Sequence, residues 1–332
     1  MIWFLVVPPN VRLLYALAMM ELYPTAENRL PEGAKVHVLK TADGVKLRAM
    51  TCGPALARGT ILLMGGRADY LERYFETMRE LGARGFRVAS FDWRGQGGSD
   101  RLLKDRQRSH INNFKYYDVD LRTSVEQLMR EHCPGPYYAL GHSTGGHILL
   151  RNIVRETWFS KAIITAPLMD LHYAPWPRWT ARLISYVYVR AGLSWVYLPG
   201  FARGPMSRED FDGNPLSSDA LRWNRDALTL ERYPQLGTGG PTMGWLNAAM
   251  DSFDRMKRLS LPQGPRCPVM VVLSGRDRVV NNAATMDFAT RVPGLSQVLV
   301  DGSLHEIMHE QNSLRAAFFA ALESYLDVPP LS

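Results

Sequence analysis

Residues 141–145 read Gly-His-Ser-Thr-Gly, between a short apolar run and a segment with apolar residues at helical spacing. The run at 137–140 predicts a buried strand, and residues 146–154 predict an amphipathic helix. The turn between them is too tight for side chains two residues before or after the serine, which explains Gly141 and Gly145.

Such a turn raises the hydroxyl of Ser143 above the edge of the sheet. The hydroxyl then lies at a helix N-terminus, whose free N–H groups can hold an anion. We therefore predict that Ser143 is a nucleophile. The alternative is a glycine-rich turn in which the serine only caps the helix.

The composition of the 332 residues is ordinary for a globular enzyme, with 46% hydrophobic and 21% charged residues. The net charge of +7 comes from arginines scattered along the chain. Because no basic patch with interleaved aromatic residues is present, we expect no nucleic-acid partner. The scattered arginines indicate either an arginine-rich proteome or a mild attraction to anionic lipid surfaces.

The three cysteines, Cys52, Cys133 and Cys267, are odd in number and far apart, which favours neither a disulfide framework nor a zinc site. We expect a reducing, cytoplasmic location. The apolar residues 1–9 lack a basic region and a cleavage site, and they are too short to cross a bilayer. Residues 11–22 predict a short helix, and we expect residues 1–34 to pack on the core. Peripheral contact with the inner membrane surface is the alternative, and the oligomeric state stays open.

Short apolar runs alternate with amphipathic helices along most of the chain. The predicted strands are a hairpin over 36–50 and single runs at 60–64, 86–92, 137–140, 161–166, 267–275 and 297–300. The predicted helices include those at 114–131 and 282–291. This alternation predicts an α/β fold with a mostly parallel sheet that is covered on both faces.

The alternation stops at Pro167, and many tryptophans and prolines follow up to about residue 259. We predict an inserted helical cap at 168–259. The core is then formed by residues 35–167 and 260–328.

A nucleophilic serine needs a histidine base, and the histidine needs an acid that orients it. Ligands of open α/β sheets bind at the carboxyl ends of the strands. Asp277 follows the predicted strand that ends at Gly275, and His305 follows the one that ends at Val300. We predict that Ser143, His305 and Asp277 are the catalytic residues, in the chain order serine, acid, histidine.

Each partner has a rival. Asp277 could be a turn residue between two arginines, in which case Asp301 is the alternative acid. His309 is expected on the following helix, and His142 is expected to point away from the site. We therefore favour His305 as the base.

Two backbone N–H groups are needed to hold an oxyanion. We predict Thr144 as one donor, because it follows the nucleophile, and Arg67 as the other, because Gly65 and Gly66 precede it after a strand. The alternative is that the two glycines form only a turn. The stretch 93–99, Trp-Arg-Gly-Gln-Gly-Gly-Ser, loosely resembles a dinucleotide loop, but Asp100 stands where the third glycine is needed. We expect no cofactor and no metal ion.

These motifs together resemble serine hydrolases of the α/β-hydrolase fold, of the lysophospholipase L2 and monoacylglycerol lipase type. The resemblance covers about residues 35 to 326, and its motifs lie at 65–74, 92–97, 141–145, 274–280 and 305–306. It implies an eight-stranded sheet, a helical cap and the hydrolysis of acyl esters, with a small acyl ester or a lysolipid as substrate. Many relatives have His-Gly where this chain has Gly65-Gly66.

Substrate choice is expected to depend on the cap. Its aromatic residues either line an acyl-chain tunnel or form the core of the cap, and both interpretations stay open; they are Trp176, Trp179, Trp195, Trp223, Trp245, Tyr173, Tyr186 and Tyr188. The alternative to an enzyme is a non-catalytic hydrolase scaffold that binds a small apolar ligand. The complete set of catalytic residue types argues against it.

Overall fold

The computed structural model of the chain describes residues 19–173, 175–201, 204–259 and 263–329. Most of the helix predicted at 11–22 lies outside these residues. The part of it that is described, residues 19–22, is not helical.

Eight strands form one sheet in the order β1-β2-β4-β3-β5-β6-β7-β8. Their bounds are β1 Lys35–Lys40, β2 Lys46–Cys52, β3 Thr60–Met64, β4 Arg87–Phe91, β5 Tyr137–His142, β6 Lys161–Thr165, β7 Val269–Ser274 and β8 Leu295–Val300. The pairs β1–β2 and β2–β4 are antiparallel, and the other pairs are parallel. The mostly parallel α/β sheet predicted from the apolar runs is therefore confirmed.

Nine α-helices lie in the described part of the chain. They are α1 Phe75–Ala83, α2 Lys115–Thr123, α3 Arg130–His132, α4 Thr144–Ile153, α5 Arg178–Arg190, α6 Ala220–Arg232, α7 Met243–Lys257, α8 Asn282–Arg291 and α9 Asn312–Leu326. None of the helices that the structure describes is both long and apolar enough to cross a membrane.

The helix predicted at 114–131 is not uniform, because Ser124–Met129 forms a π-helical segment between α2 and α3. The hydroxyls of Thr123 and Ser124 each donate to the carbonyl four residues earlier, at 2.9 Å. Side chains that compete for backbone carbonyls in this way loosen a helical turn. The hydrophobic period alone does not reveal this widening.

Four consecutive residues of strand β3, 61–64, are apolar because both faces of the sheet are covered. Ile61 and Leu63 lie in a core cluster on one face of the sheet, together with α1. Leu62 and Met64 lie in the cluster on the other face, together with α4. Burying one such side chain stabilises the fold by about 2 kcal/mol. The polar side chain in this strand, Thr60, is buried with its hydroxyl donating to the Pro134 carbonyl at 2.6 Å.

The segment between β6 and β7 contains α5, α6 and α7. In its described part only single bridges, such as Tyr197 with Thr242, have strand-like pairing. Helix α5 packs on α7 through the buried Ser185 and an ion pair between Arg182 and Asp251. This helical layer lies over the carboxyl ends of the parallel strands, since its residues line the cavities described below.

Candidate active site

The loops that follow β3, β5, β7 and β8 meet at one edge of the sheet. Strand β3 lies between β4 and β5 in the sheet. The chain goes from β3 to β4 on one side and later to β5 on the other side, so the loops after β3 and β5 lead away from two adjacent strands in opposite directions. Such a switch point leaves a crevice at the carboxyl edge, where a ligand can bind.

The turn after β5 has the geometry that its two glycines allow. Ser143 has φ 50° and ψ −112°, a conformation that costs free energy for a residue with a side chain. A Cβ on Gly145 would lie 2.6 Å from the carbonyl oxygens of Met64 and Gly65, and one on Gly141 would lie 2.9 Å from the nitrogen of Gly146. The Ser143 side chain makes no hydrogen bond to the N-terminus of α4, so the alternative that this serine only caps the helix is excluded.

The structure brings Ser143, His305 and Asp277 together in series. Nε2 of His305 lies 3.0 Å from Oγ of Ser143, and Nδ1 of His305 lies 2.8 Å from Oδ2 of Asp277. A proton on Nδ1 that is donated to the carboxylate leaves Nε2 free to accept the serine proton. The arrangement can therefore deprotonate the hydroxyl of Ser143.

Asp277 is held as a carboxylate. Its other oxygen accepts hydrogen bonds from the N–H groups of Val279 at 2.8 Å and Val280 at 2.9 Å. Burial alone would raise the pKa of this carboxyl. The hydrogen bond and the charge of His305, together with the two N–H groups, outweigh burial and hold the pKa below its usual value.

The rival residues have other positions. Asp301 is exposed, and the carboxylate that contacts His305 is that of Asp277. His309 lies in the short 3₁₀ helix Ile307–His309, before α9 and not on it as expected. Its Nε2 lies 3.0 Å from the carbonyl oxygen of Arg73, so it is occupied in tying two loops together.

The expectation that His142 points away from the site is wrong. Its ring centroid lies 4.9 Å from that of His305, and its Nδ1 lies 3.1 Å from Oγ1 of Thr165. Burial, followed by the charge of His305, lowers the pKa of His142 to about 4. His142 is therefore a neutral packing partner of the histidine that contacts the serine.

The loop after β3 lies against the nucleophile, since a Cβ on Gly66 would be 3.2 Å from that of Ser143. The N–H of Gly66 donates to Asp69 at 2.6 Å, and that of Ala68 donates to Gln96 at 3.1 Å. Among the described residues, the N–H groups of Arg67 and Thr144 have no partner. These two donors remain available to a ligand.

The stretch at 93–99 supports this loop. Nε2 of Gln96 donates to the carbonyls of Gly66 at 2.8 Å and Asp69 at 3.0 Å, and Nε1 of Trp93 donates to Gly65 at 2.9 Å. In the sequence this stretch contributed only to the family resemblance. The available signal for its supporting role was a polar side chain among glycines in the loop after β4, the strand next to β3.

A buried ion cluster joins the loops after β3 and β8 to the helical layer. Arg73 forms ion pairs with Asp69, with Glu306 at 2.6 Å and with Asp226 of α6 at 3.0 Å. Glu306 follows His305 directly, so the cluster positions the histidine loop relative to the loop beside Ser143. The sequence reasoning named Glu306 only as part of a motif.

Two cavities reach Ser143. The larger has a volume of about 600 Å³ and a mostly apolar lining that includes Leu168, Ile184 and Met243. The smaller has a volume of about 210 Å³, and its lining includes the acidic side chains of Asp69 and Glu306. Two cavities that both reach Ser143 can hold the two halves of an ester on either side of its carbonyl.

The aromatic residues of the segment between β6 and β7 divide between the two interpretations. Tyr173, Trp176 and Trp245 line the larger cavity. Trp223 is buried, packs on Phe211 and donates from Nε1 to the carbonyl of Ser207, so it belongs to the core of the helical layer. The others lie largely on the outer surface or outside the cavity lining; they are Trp179, Trp195, Tyr186 and Tyr188.

Three comparisons place the chain among known proteins. The family model described as serine aminopeptidase, S33, matches residues 55–312. Lysophospholipase L2 of Escherichia coli is 27% identical over 285 residues, which cover 80% of each chain. Monoglyceride lipase of Rattus norvegicus is 29% identical over 277 residues, which cover 82% of this chain and 84% of the relative.

A solved structure shares the fold. It is a soluble variant of monoglyceride lipase from Saccharomyces cerevisiae in complex with a substrate analogue, with a TM-score of 0.69 and 18% identity. The match covers 92% of this chain and 98% of that protein. The α/β-hydrolase fold expected from the sequence motifs is thereby confirmed.

Proposed function

Since this chain belongs to the serine aminopeptidase S33 family of hydrolases, we propose that it hydrolyses acyl esters through a covalent acyl intermediate on Ser143. The observation that carries the proposal is the series of contacts from Ser143 Oγ through His305 to Asp277, at 3.0 and 2.8 Å.

In the proposed first half-reaction, Nε2 of His305 takes the proton of Ser143 while Oγ bonds to the acyl carbon. The ester then breaks, and His305 returns the proton to the oxygen of the departing alcohol. In the second half-reaction His305 takes a proton from water while the water oxygen bonds to the acyl carbon. The bond from that carbon to Oγ of Ser143 then breaks, His305 returns the proton to Oγ, and the acid leaves. Asp277 stabilises the imidazolium that forms in each step.

The proposed oxyanion donors are the N–H groups of Arg67 and Thr144. Both lack partners among the described residues, and the N–H groups on either side of Arg67 are already used. Each donor of this kind typically accounts for about 10²–10³ in turnover. Gln96 holds the loop that carries Arg67 and is therefore a positioning residue.

We assign the acyl chain to the larger cavity and the alcohol to the smaller one. The larger cavity is mostly apolar and includes Tyr173 and Trp245 in its lining. The relatives are a lysophospholipase and monoglyceride lipases, whose names describe substrates with one acyl chain on a polar alcohol. The proposed substrates of this chain are of the same class.

These roles support a division of the chain into a cap and a core. Residues 168–259 would form the cap over a core of residues 35–167 and 260–328. We also propose that residues 19–34 pack on the core; the rest of the predicted N-terminal segment, residues 1–18, lies outside the described residues. In support, Tyr23 N donates to the Glu72 carboxylate at 3.1 Å, and Asn28 donates to the Glu72 carbonyl at 2.7 Å.

The function is tested with a fluorophosphonate probe and a series of p-nitrophenyl esters of increasing chain length. We expect labelling of the wild type but not of Ser143→Ala. We expect kcat/KM to rise about fourfold per added methylene until the larger cavity is filled, because each buried methylene contributes about 0.8 kcal/mol. Lysophosphatidylcholine and monoacylglycerol complete the panel.

Three outcomes would contradict this function. No labelling of folded protein would favour the non-catalytic scaffold. Equal rates at every chain length would contradict the assignment of the acyl chain to the larger cavity. Preferential cleavage of an amino-acid p-nitroanilide would indicate peptide hydrolysis instead.

We further propose that the cap contacts a lipid surface that contains anionic lipids. Trp179, Leu183 and Val187 repeat every fourth residue on α5 and are all exposed, Trp179 to 65%. Trp176 and Ile184 connect this apolar face to the larger cavity. An exposed apolar face of this size marks an interaction site, and the net charge of +7 favours an anionic surface.

Sedimentation with vesicles of phosphatidylglycerol and phosphatidylcholine tests the contact. We expect the double variant Trp179→Ser/Leu183→Ser to weaken vesicle binding at least about tenfold, since both side chains lose their burial in lipid. Leu56→Ser is the control, because Leu56 is 97% exposed in the loop before β3, at the opposite edge of the sheet. Equal binding by both variants would refute the proposed contact.

A further inference from the structure

The side chain of Arg67 lies where the two cavities meet, since it contributes to the lining of both. Its Nη1 donates to the carbonyl oxygen of Gly239 at 3.1 Å. Its guanidinium carbon lies 5.8 Å from the ring centroid of Trp245. The function proposed above uses only the backbone of this residue and leaves the guanidinium without a role.

This guanidinium lacks a counter-charge. In the part of the chain that the structure describes, no carboxylate forms an ion pair with Arg67. The charge of Asp69 acts to raise the pKa of Arg67, but the oxygens of Asp69 already accept from Gly66 N, Tyr74 Oη and Arg73. Burial lowers the pKa of Arg67, which indicates that water solvates this cation poorly.

Arg101 shows that the lack of an ion pair does not by itself indicate an anion-binding arginine. Arg101 also has no carboxylate partner among the described residues, but it donates to Thr238 Oγ1 and to the carbonyls of Gly95, Gln235 and Gly237. Its donors are used in holding a loop, and it lines neither cavity.

Arg67, in contrast, uses one of its five N–H groups. Its other nitrogens are not among the described polar atoms that are sealed from solvent without a partner. The unused donors are therefore accessible from the cavities. A planar fork of donors with an uncompensated positive charge is suited to an anion with two or more oxygens.

We propose that the Arg67 side chain binds the phosphate of a lysophospholipid leaving group and so makes the site prefer lysophospholipids to monoacylglycerols. This inference rests on the ester hydrolysis proposed above. A neutral glycerol leaving group would leave the guanidinium unpaired at the reaction centre, which is costly in a poorly solvated site. A phosphate provides the missing charge.

The position of Arg67 in the loop makes this contact sterically reasonable. Its N–H is a proposed oxyanion donor, so its side chain begins beside the reacting carbonyl and extends away from it. In a lysophospholipid a short glycerol linker likewise separates the reacting ester from the phosphate. One residue can therefore contact both groups of the same substrate molecule.

The test compares lysophosphatidylcholine and monoacylglycerol that carry the same acyl chain. We expect Arg67→Met to lower the ratio of their kcat/KM values by about 10- to 100-fold, the usual effect of losing a hydrogen-bonded charge pair. Any disturbance of the oxyanion donor affects both substrates and cancels in the ratio. Arg67→Lys, which keeps the charge but not the fork, should fall between the wild type and Arg67→Met.

Arg278→Met is the matched control. Arg278 also lines the larger cavity but is exposed, so its removal should change the ratio less than about threefold. An unchanged ratio in Arg67→Met, or an equal fall in both methionine variants, would overturn the proposal.

A binding measurement separates this proposal from the proposed function. Calorimetry on Ser143→Ala with sn-glycero-3-phosphocholine needs no turnover, and we expect added Arg67→Met to abolish the binding. If the protein hydrolyses no ester, the proposed function fails and this measurement still tests the phosphate contact. Loss of oleate binding with unchanged binding of the glycerophosphate compound would assign Arg67 to the product carboxylate and overturn the proposal.

Discussion

Ser143→Ala should lower kcat for p-nitrophenyl esters by at least about 10⁴-fold, the scale on which removal of one member of such a serine–histidine–acid series acts. His305→Ala should have an effect of similar size. The double variant should be little worse than either single variant, because the two groups act in one proton transfer. Steady-state kinetics on folded protein measures all three.

Two substitutions, at Asp277 and at Asp301, test which carboxylate orients His305. Asp277→Asn should cost about 10⁴-fold in kcat, because an amide in place of the carboxylate favours the wrong tautomer of His305. Asp301→Asn should change kcat less than about threefold, since Asp301 is exposed and does not contact the imidazole. If Asp301→Asn were the more damaging substitution, the assignment of the acid would be wrong.

Arg48→Met should lower the free energy of unfolding by about 3–5 kcal/mol, the usual cost of removing one partner of a buried ion pair. Arg48 is fully buried and pairs with both oxygens of Glu72, at 2.8 Å, and with Asp92 at 2.7 Å. Its loss leaves two buried carboxylates without their cation. Urea denaturation, followed by tryptophan fluorescence, measures the difference.

The control for this second prediction is Arg122→Met. Arg122 pairs with Glu156 at 2.6 Å, but its side chain is 51% exposed, so the loss should stay below about 1 kcal/mol. Arg48→Lys keeps the charge but cannot reach both acids in the same geometry, and its loss should be intermediate. Equal losses in the two methionine variants would show that burial does not determine the value of the Arg48 pairs.

Arg48 also connects stability to the site. Asp92 accepts from the N–H of Leu71 at 2.8 Å and from that of Gly98 at 2.7 Å. These groups belong to the loop after β3 and to the stretch that supports it. A variant that retains its fold but loosens Asp92 should therefore also lose activity.

Much of the fold could be predicted from local pattern. The apolar runs identified the strands closely, and β3 and α8 coincide with the predicted ranges 60–64 and 282–291. Such patterns are readable because burial on both faces of a sheet gives continuous apolar runs, and burial of one face of a helix gives a helical period. The π-helical Ser124–Met129 was missed because hydroxyl-to-carbonyl hydrogen bonds leave that period unchanged.

Some site residues could be predicted from the local pattern, and others could not. Ser143, Asp277 and His305 each follow a strand, and strand ends are readable from the sequence. The position of His142 against His305 was predicted wrongly, because the orientation of a ring depends on what packs around it. Gln96 received no role, since its acceptors lie in the loop after β3, 27 and 30 residues away.

By itself the sequence determined the strand and helix pattern, the tight turn at Ser143 and the order of the three polar residues after their strands. These follow from steric and burial constraints that act between near neighbours in the chain. Only the tertiary structure decided which histidine contacts Ser143, that Gln96 supports the loop after β3 and that Arg67 has no ion-pair partner among the described residues. Those facts depend on which distant side chains share a buried space, and burial, not chain distance, sets the strength of a charge or a hydrogen bond.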